Sequence, residues 1–366
     1  MKIICTQENL KTGLLQVGRI ISSSASLPIL SNVLLKTENG MLKISATNLE
    51  IAITSMVRCK VEEEGSVTIV CKTLTDLINS FPNKNINLET RNGEVSVEAE
   101  NYHTTIKTLP AEEFPLIPEM ENQKTFNMDA QELRKAISQV AFSVSTNQTQ
   151  AEISGVLTKI ENNKLKLAAT DRYRLAEKKI ELKETTNLNQ SIIVPHKTIM
   201  ELSRVIGIQE GTVMIGLNET QIAFVFNNTQ IISRLIDGEY PPYEQIIPTD
   251  FSANVVVERQ ALISALRAGG VFSQGNNSVR MEHKSENQTL ILTTESGELG
   301  KSVVELSSII EGKSGNLVVN FHYLLDCLTN LDSTNVVIKI TNDSSPSLLT
   351  PQGDETYLYL VMPIKN

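Results

Sequence analysis

The chain has 366 residues, a formal net charge of −9, 40% hydrophobic residues, 4% aromatics and no Trp. Its length suits two to three domains, each able to bury a core, and 366/3 = 122. The acidic balance excludes a surface coated with nucleic acid, because phosphate binding draws on Lys and Arg, but it allows one local basic surface on an acidic body.

No window approaches a transmembrane span. The N-terminal MKIICTQENL lacks the apolar run of a secretory signal, so a cytoplasmic protein without membrane contact is expected. Cys5, Cys59, Cys71 and Cys327 form no CxxC pair and read as reduced, mostly buried thiols. The sequons at Asn147 and Asn287 carry no meaning without export.

The first predicted helix runs over Asn9–Ile20, with Leu10, Leu14 and Val17 at the i, i+4, i+7 spacing of an amphipathic face. Glu132–Ser143 repeats it with Leu133, Ile137 and Val140. Ala261–Phe272 repeats it again with Leu262 and Leu266. A second helix follows in each copy, at KTLTDLINSFP from Lys72, KTIMELSRVIG from Lys197 and HYLLDCLTNL from His322. Leu74, Ile199 and Leu324 correspond in these, as do the acids Asp76, Glu201 and Asp326. Strands are predicted at Val67–Val70, Glu94–Ala99, Val213–Ile215, Ile222–Phe226, Asn254–Val257 and Val336–Ile340. Arg91-Asn92-Gly93 reads as a hairpin turn.

LKISATNLEIAI at Leu42, LKLAATDRYRLA at Leu165 and the looser LILTTESGELGK at Leu290 are a further repeat, with offsets of 123 and 125 residues (165 − 42 and 290 − 165). The copies close on TLPAEEFPLIP at Pro118, LIDGEYPPYEQIIP at Pro248 and YLYLVMPIKN at the terminus. The plan is three domains over 1–120, 125–249 and 250–366. Each is strand–helix–strands–helix–strands, an α+β architecture of antiparallel sheet with two helices. Three similar domains suggest a curved array, which ends or closes by symmetry into a ring.

Several chemistries find no support. His103, His196, His283 and His322 have no metal-ligand spacing to one another or to Cys. Gly-Lys-Ser within EGKSG would need a Gly at position 307, which is Ser307. Asp171 is the sharpest acidic candidate, without a visible His or carboxylate partner. No catalytic residue, metal or cofactor is expected.

LPILSN at Leu27–Asn32, TLPAEEFP, AATDRYRLA, IDGEYPPY and YLVMPIK resemble, in order and over the whole chain, the bacterial DNA polymerase III beta subunit family. The resemblance implies a head-to-tail homodimer of three-domain protomers. The six domains would form a closed ring with helices lining a hole for double-stranded DNA. The ring would bind DNA without sequence specificity and make the replicative polymerase processive. DNA-facing positions are then Lys197 and Arg204 above all, with Lys72, Arg19, Arg134 and Lys135. Lys11 and Arg267 lie on the same helices. Individually each of these reads as a solvated helix face.

The odd copy, TDRYRL, also gains a meaning from the family. With the C-terminal tail it would form a hydrophobic cleft for short linear motifs. Its partners would be the DNA polymerase III alpha subunit, the clamp loader delta subunit, other polymerases and repair proteins. The matching positions are Ile153, Thr170, Tyr173, Arg174, Leu175, Pro241, Gln245, Ile246, Leu360, Val361, Met362, Pro363 and Ile364. Arg174 and the Thr170 hydroxyl are expected to hydrogen-bond the incoming peptide. From the residues alone, Ile153 and Leu175 read equally as core and Val361-Met362 as a buried strand. The dimer contact would join Thr104 and Ile106 to Val271 and Phe272, with charges around Lys72, Glu298 and Glu305. Thr104 stands where the family often has a large apolar residue, which implies a looser interface. Ser24 and Cys71 replace commonly basic residues and Gln148–Ile153 lacks basic and aromatic ones, which implies weaker DNA contact.

Two other readings compete. One is an enzyme using Asp171, Arg172, Tyr173 and Arg174 around an acidic substrate. The other is a repeat scaffold that binds proteins but no DNA.

Overall fold

The computed structural model describes the chain except residues 22–26, 118–119, 121–122, 148, 185, 187, 274–276 and 365–366. The expectations placed on Ser22–Ser24, Pro118 and Gln148 therefore lie outside the described residues.

The first repeat contains β1 (Lys2–Thr6), α1 (Gln7–Val17), β2 (Asn32–Glu38), β3 (Met41–Thr47), β4 (Ile51–Val57), β5 (Lys60–Glu63), β6 (Ser66–Val70), α2 (Cys71–Ser80), β7 (Asn85–Arg91), β8 (Glu94–Ala99) and β9 (Tyr102–Lys107). The second contains β10 (Lys124–Asp129), α3 (Ala130–Val140), β11 (Gly155–Glu161), β12 (Lys164–Thr170), β13 (Arg174–Glu181), β14 (Gln190–Pro195), α4 (His196–Ile206), β15 (Thr212–Leu217), β16 (Gln221–Phe226) and β17 (Thr229–Arg234). The third contains β18 (Ala253–Glu258), α5 (Arg259–Gly270), β19 (Ser278–Lys284), β20 (Thr289–Ser296), β21 (Gly300–Gly312), β22 (Gly315–Asn320), α6 (Phe321–Thr329), β23 (Asn335–Ile340), β24 (Ser347–Pro351) and β25 (Tyr357–Val361). The fold is a three-domain α+β one with antiparallel sheets and two helices in each domain.

Local chemistry accounts for these elements. Thr6 caps α1 by accepting from the Asn9 amide at 3.3 Å, and Leu10, Leu14 and Val17 form its buried face. Alternation in β18 and β23 leaves every second residue facing the core. The β7–β8 turn has Asn92 at φ 50° and Gly93 at φ 78°, the left-handed pair that a two-residue hairpin of this hand requires.

The chain forms two compact units, residues 1–131 with 201–235, and residues 132–200 with 236–366. The first unit holds a five-stranded sheet, β5-β1-β7-β8-β9, and an eight-stranded sheet, β10-β15-β16-β17-β4-β3-β2-β6. The second holds one twelve-stranded sheet, β14-β11-β12-β13-β25-β24-β23-β18-β21-β20-β19-β22. The central repeat gives four strands to each of the two larger sheets. Its partners there are β4, through β17, and β25, through β13.

The three repeats differ in one strand. In the third, β21 runs without a break, its first half on β20 and its last residues on β18. In the first, the same path is broken at Arg58-Cys59 into β4, which pairs with β3, and β5, which pairs with β1.

Candidate functional site

The turn between β12 and β13 is held by its own side chains. Thr170 Oγ1 accepts from the Arg172 amide at 3.1 Å and donates to the Arg174 carbonyl at 2.7 Å. Asp171 Oδ1 accepts from the amides of Tyr173 and Arg174, both at 3.0 Å. Arg172 takes φ 78°. The first repeat builds the same turn. Thr47 Oγ1 accepts from Leu49 N and donates to Ile51 O, and Asn48 Oδ1 accepts from Glu50 N and Ile51 N. Leu49 takes φ 75°. The backbone is thus shared, and the copies differ in what it displays: Leu49, Glu50 and Ile51 in one, Arg172, Tyr173 and Arg174 in the other.

Tyr173 is 62% exposed. Arg174 turns inward. Its Nε donates to Asp171 Oδ2 at 2.9 Å and its Nη1 to Asp326 Oδ2. The guanidinium carbon stands 4.5 Å from the centre of the Tyr323 ring and 5.6 Å from that of Phe142, in cation–π range of both. Burial works against its charge, but the hydrogen bond to Asp326 and the nearby anions outweigh that and raise its pKa.

From this turn β13 pairs with β25, Leu175 opposite Leu360 and Arg174 opposite Val361. The tail continues along it, with Met362 N donating to Tyr173 O at 2.8 Å and Ile364 N to Val318 O at 2.7 Å. Leu157, Ala168, Leu175, Tyr243 and Leu360 form a buried cluster, and Tyr240, Ile247, Leu358 and Met362 pack against it. Tyr243 is fixed through its hydroxyl, which donates to the buried Glu177 carboxylate. Lys179 Nζ lies 3.0 Å from that carboxylate. Burial first, and then the charge of Glu177, push the Tyr243 hydroxyl pKa up, so it remains a donor.

Of the thirteen expected cleft residues, Arg174 is half-buried in the turn and the other twelve fall into two groups. Tyr173, Pro241, Gln245, Ile246 and Ile364 are exposed, and Met362 and Pro363 are half-buried. Ile153, Thr170, Leu175, Leu360 and Val361 are buried and lie beneath or inside the sheet. Arg174 and the Thr170 hydroxyl, expected to hydrogen-bond a partner, already have partners inside the protein, since a buried polar group left unpaired is costly. Sequence reading missed Tyr240, Tyr243, Glu177, Phe142, Tyr323 and the role of Asp326. The repeated acid at Asp76, Glu201 and Asp326 was the available signal for the last.

The basic helix residues also divide. Lys72 and Lys197 are exposed in the first turns of α2 and α4, and Arg19 is exposed just beyond α1. The helix macrodipole disfavours a cation at a helix N-terminus by about 0.3–1 kcal/mol, so the two lysines do not serve helix stability there. Arg204 is engaged internally, Nε on Glu201 at 2.6 Å and Nη2 on the Gln16 carbonyl at 2.9 Å. Lys135 pairs with Asp332 at 2.7 Å, and Arg134 is half-buried.

Of the expected interface residues, Thr104 and Ile106 lie on β9, at the end of the five-stranded sheet. Val271 is 64% exposed just beyond α5, and Phe272 is half-buried. Among the described residues no group of three His, Cys, Asp or Glu side chains is arranged to hold a metal ion. None of the described helices is long and apolar enough to cross a membrane.

Three α+β repeats that share strands at two junctions, with an apolar cluster at one of them, define a repeat protein of the clamp class. The family models of the DNA polymerase III beta subunit match the chain in sequence. The N-terminal domain matches residues 1–118, the central domain 127–242 and the C-terminal domain 244–365. The beta sliding clamp of Synechococcus elongatus is 31% identical over 372 residues, covering 100% of this chain and 99% of that protein. That of Bacillus subtilis is 26% identical over 376 residues, covering 100% of both. The crystal structure of the Bacillus subtilis DNA polymerase sliding clamp superposes with a TM-score of 0.96 at 25% identity, over 100% of this chain and 99% of that one. A Pseudomonas aeruginosa sliding clamp bound to griselimycin gives 0.96 at 27% identity, over 100% of both. The chain belongs to the DNA polymerase III beta subunit family, the beta sliding clamps of DNA replication.

Proposed function

We propose that two copies of this chain join head to tail into a closed ring of six domains, bounded near 1–120, 125–249 and 250–366. The ring encircles duplex DNA without reading its sequence. The observation that carries this reading is a pair of unused strand edges. Domains one and two share the β4–β17 pairing, and domains two and three share β13–β25. The strands equivalent to these at the chain's two ends are β9 and the first half of β21. Among the described residues, β9 pairs only with β8, and Gly300–Ser307 pairs only with β20. A third junction of the same kind, made between protomers, uses both edges and closes a two-fold assembly.

Lys72, Lys197 and Arg19 then face the DNA phosphates, giving attraction without base contacts. The groove over Leu175, Tyr243 and Leu360 takes a short motif with aliphatic and aromatic side chains. Tyr173, Ile246, Met362 and Pro363 form its walls. Through it the ring holds the polymerase alpha subunit, the clamp loader delta subunit and repair proteins by turns. The enzyme reading loses its acid, since Asp171 is committed to the turn amides and to Arg174.

The test is mass and topology together. Light scattering on the full chain is expected to give twice 40.4 kDa. Protein loaded on a nicked circular plasmid is expected to stay through a gel column and to leave when the plasmid is linearised. Retention on linear DNA, or a monomer at micromolar concentration, overturns the ring.

A further inference from the structure

We propose that Cys5 and Cys59 form a reversible oxidation site, closing to an intrachain disulfide when a hydroperoxide reaches them. The β1–β5 register runs Ile3 opposite Val61 and Ile4 opposite Lys60, and continued one residue beyond the end of β5 it brings Cys5 opposite Cys59. Directly opposed residues of an antiparallel pair have Cα atoms about 4.5–5.5 Å apart, within the range a disulfide spans. Opposed residues also project to the same face. The sulfur of Cys5 already lies against this corner, 3.4 Å from the carbonyl oxygen of Arg58, whose peptide bond leads to Cys59.

The corner itself is particular to the first repeat, where the path that β21 follows unbroken is interrupted and changes sheets. A small oxidant has access. Cys59 is half-buried, and the neighbouring Arg58, Asn9 and Glu8 line an open polar cleft of about 380 Å³.

The chemistry balances with one peroxide. The sulfur of Cys59 attacks the peroxide, the O–O bond breaks, water leaves, and Cys59 becomes a sulfenic acid. The sulfur of Cys5 then attacks that of Cys59. The S–O bond breaks and the hydroxyl departs as a second water with the Cys5 proton. Burial and the neighbouring thiol hold the Cys5 pKa at about 12, and burial raises that of Cys59, so the reaction is slow at neutral pH and accelerates with alkalinity. Thiol reductants reverse it. The link ties edge strand β5 to β1 and closes the loop between residues 5 and 59, which constrains the unfolded chain.

The experiment uses the full chain, folded, with hydrogen peroxide at pH 7 and pH 9, followed by denaturation and alkylation. The expected result is loss of two mass units, two alkylated cysteines in place of four, and a linked peptide pair containing Cys5 and Cys59. The rate should be at least about fivefold higher at pH 9. The melting temperature should rise by about 5 °C and fall back with dithiothreitol. Cys59→Ala, at a half-buried position, should abolish the mass change and the thermal shift, and Cys5→Ala should do the same. Over-oxidation of Cys59 with Cys5 still alkylatable, a link involving Cys71 or Cys327, or an unchanged mass overturns the proposal.

Discussion

Arg174 and Asp326 stand 152 positions apart in sequence and share a direct hydrogen bond, with the guanidinium also bound to Asp171 and enclosed by Phe142 and Tyr323. This contact anchors the turn that displays Tyr173 to the helix α6. Arg174→Ala is expected to lower stability by about 2 kcal/mol, since it leaves two carboxylates short of a partner. It should weaken clamp-motif peptide binding at least tenfold. Asp326→Ala, whose carboxylate is partly solvated, should cost less in both. Calorimetric titration and thermal denaturation of the two variants check the ranking. Equal peptide affinity in wild type and Arg174→Ala would mean that the turn needs no anchor.

The tail divides at Val361. Residues up to Val361 lie in β25 with Tyr357, Tyr359 and Leu360 buried, whereas Met362 and Ile364 lie beyond it, bonded through their amides to the carbonyls of Tyr173 and Val318. A chain ending at Val361 should fold with a melting temperature within a few degrees of the full chain and lose the peptide. A chain ending at Tyr359 removes Leu360 from the core cluster. It should lose about 2–5 kcal/mol of stability, as for a large-to-small core change. Peptide binding by fluorescence anisotropy, alongside melting, separates the two effects.

Register at the proposed protomer junction follows from the internal ones. Ile51 pairs with Ser233, and Arg174 with Val361. Gly300 occupies the place of Ile51 and Arg174 in the sheet, because Ser296 stands opposite Gly300 and Leu290 opposite Leu306, where Leu42 stands opposite Val57 and Leu165 opposite Ile180. The bridges Thr68–Leu109 and Ile193–Ile236 likewise equate Ile106 with Ser233. Gly300 should then face Ile106 of a second copy, and Ser302 should face Thr104. The variant Thr104→Cys, Ser302→Cys is expected to yield covalent dimers on mild oxidation. Thr105→Cys with Ser302→Cys, one residue out of register, should yield few. Non-reducing electrophoresis decides it.

Lys72 and Lys197 are expected to act on DNA, and Arg204 on the fold. The double variant Lys72→Ala, Lys197→Ala should reduce the salt dependence of DNA retention by a slope of about 2, with unchanged melting. Arg204→Ala removes the bonds to Glu201 and Gln16, and should instead lower the melting temperature by several degrees. A salt titration of retention on circular DNA with parallel melts distinguishes the roles.

His283 and His196 are held neutral by burial, which lowers the pKa of each; the carbonyl of Lys313 and the charge of Glu282 only partly offset this at His283. A histidine with a depressed folded pKa leaves the unfolded chain binding more protons below about pH 6.5. Stability should be complete above that value and fall as pH drops from 6.5 towards the folded pKa values. His283→Gln should flatten the decline between pH 6.5 and 5 in a series of thermal melts.

Much of this molecule is legible in the chain. The six helices are where the apolar spacing puts them, because burial of one face at a period of 3.6 is a local pattern. Strands such as Glu94–Ala99 fall where they were expected, as does the Asn92-Gly93 turn, for the same local reason. The repeat of Thr47-Asn48 at Thr170-Asp171 even predicts a shared turn. Less legible was which side of a sheet a cleft residue takes. Leu360 and Val361 look like groove walls until strand pairing buries them opposite Leu175 and Arg174. Arg174 reads as a free cation until Asp326 arrives from another domain.

The sequence by itself thus determined the family, the three-fold repeat, the helices and the oddity of one copy. These depend on residue type, period and order along the chain. Only the tertiary structure decided that Arg174, Thr170 and Arg204 have hydrogen-bond partners inside the protein while Lys72, Lys197 and Tyr173 are exposed. It alone brought the Cys5 sulfur to the Arg58 carbonyl and, among the described residues, left one edge of β9 and of the first half of β21 unpaired. Those outcomes depend on hydrogen-bond partners and strand neighbours that are distant in sequence, and a buried polar group takes whichever partner the packed fold supplies.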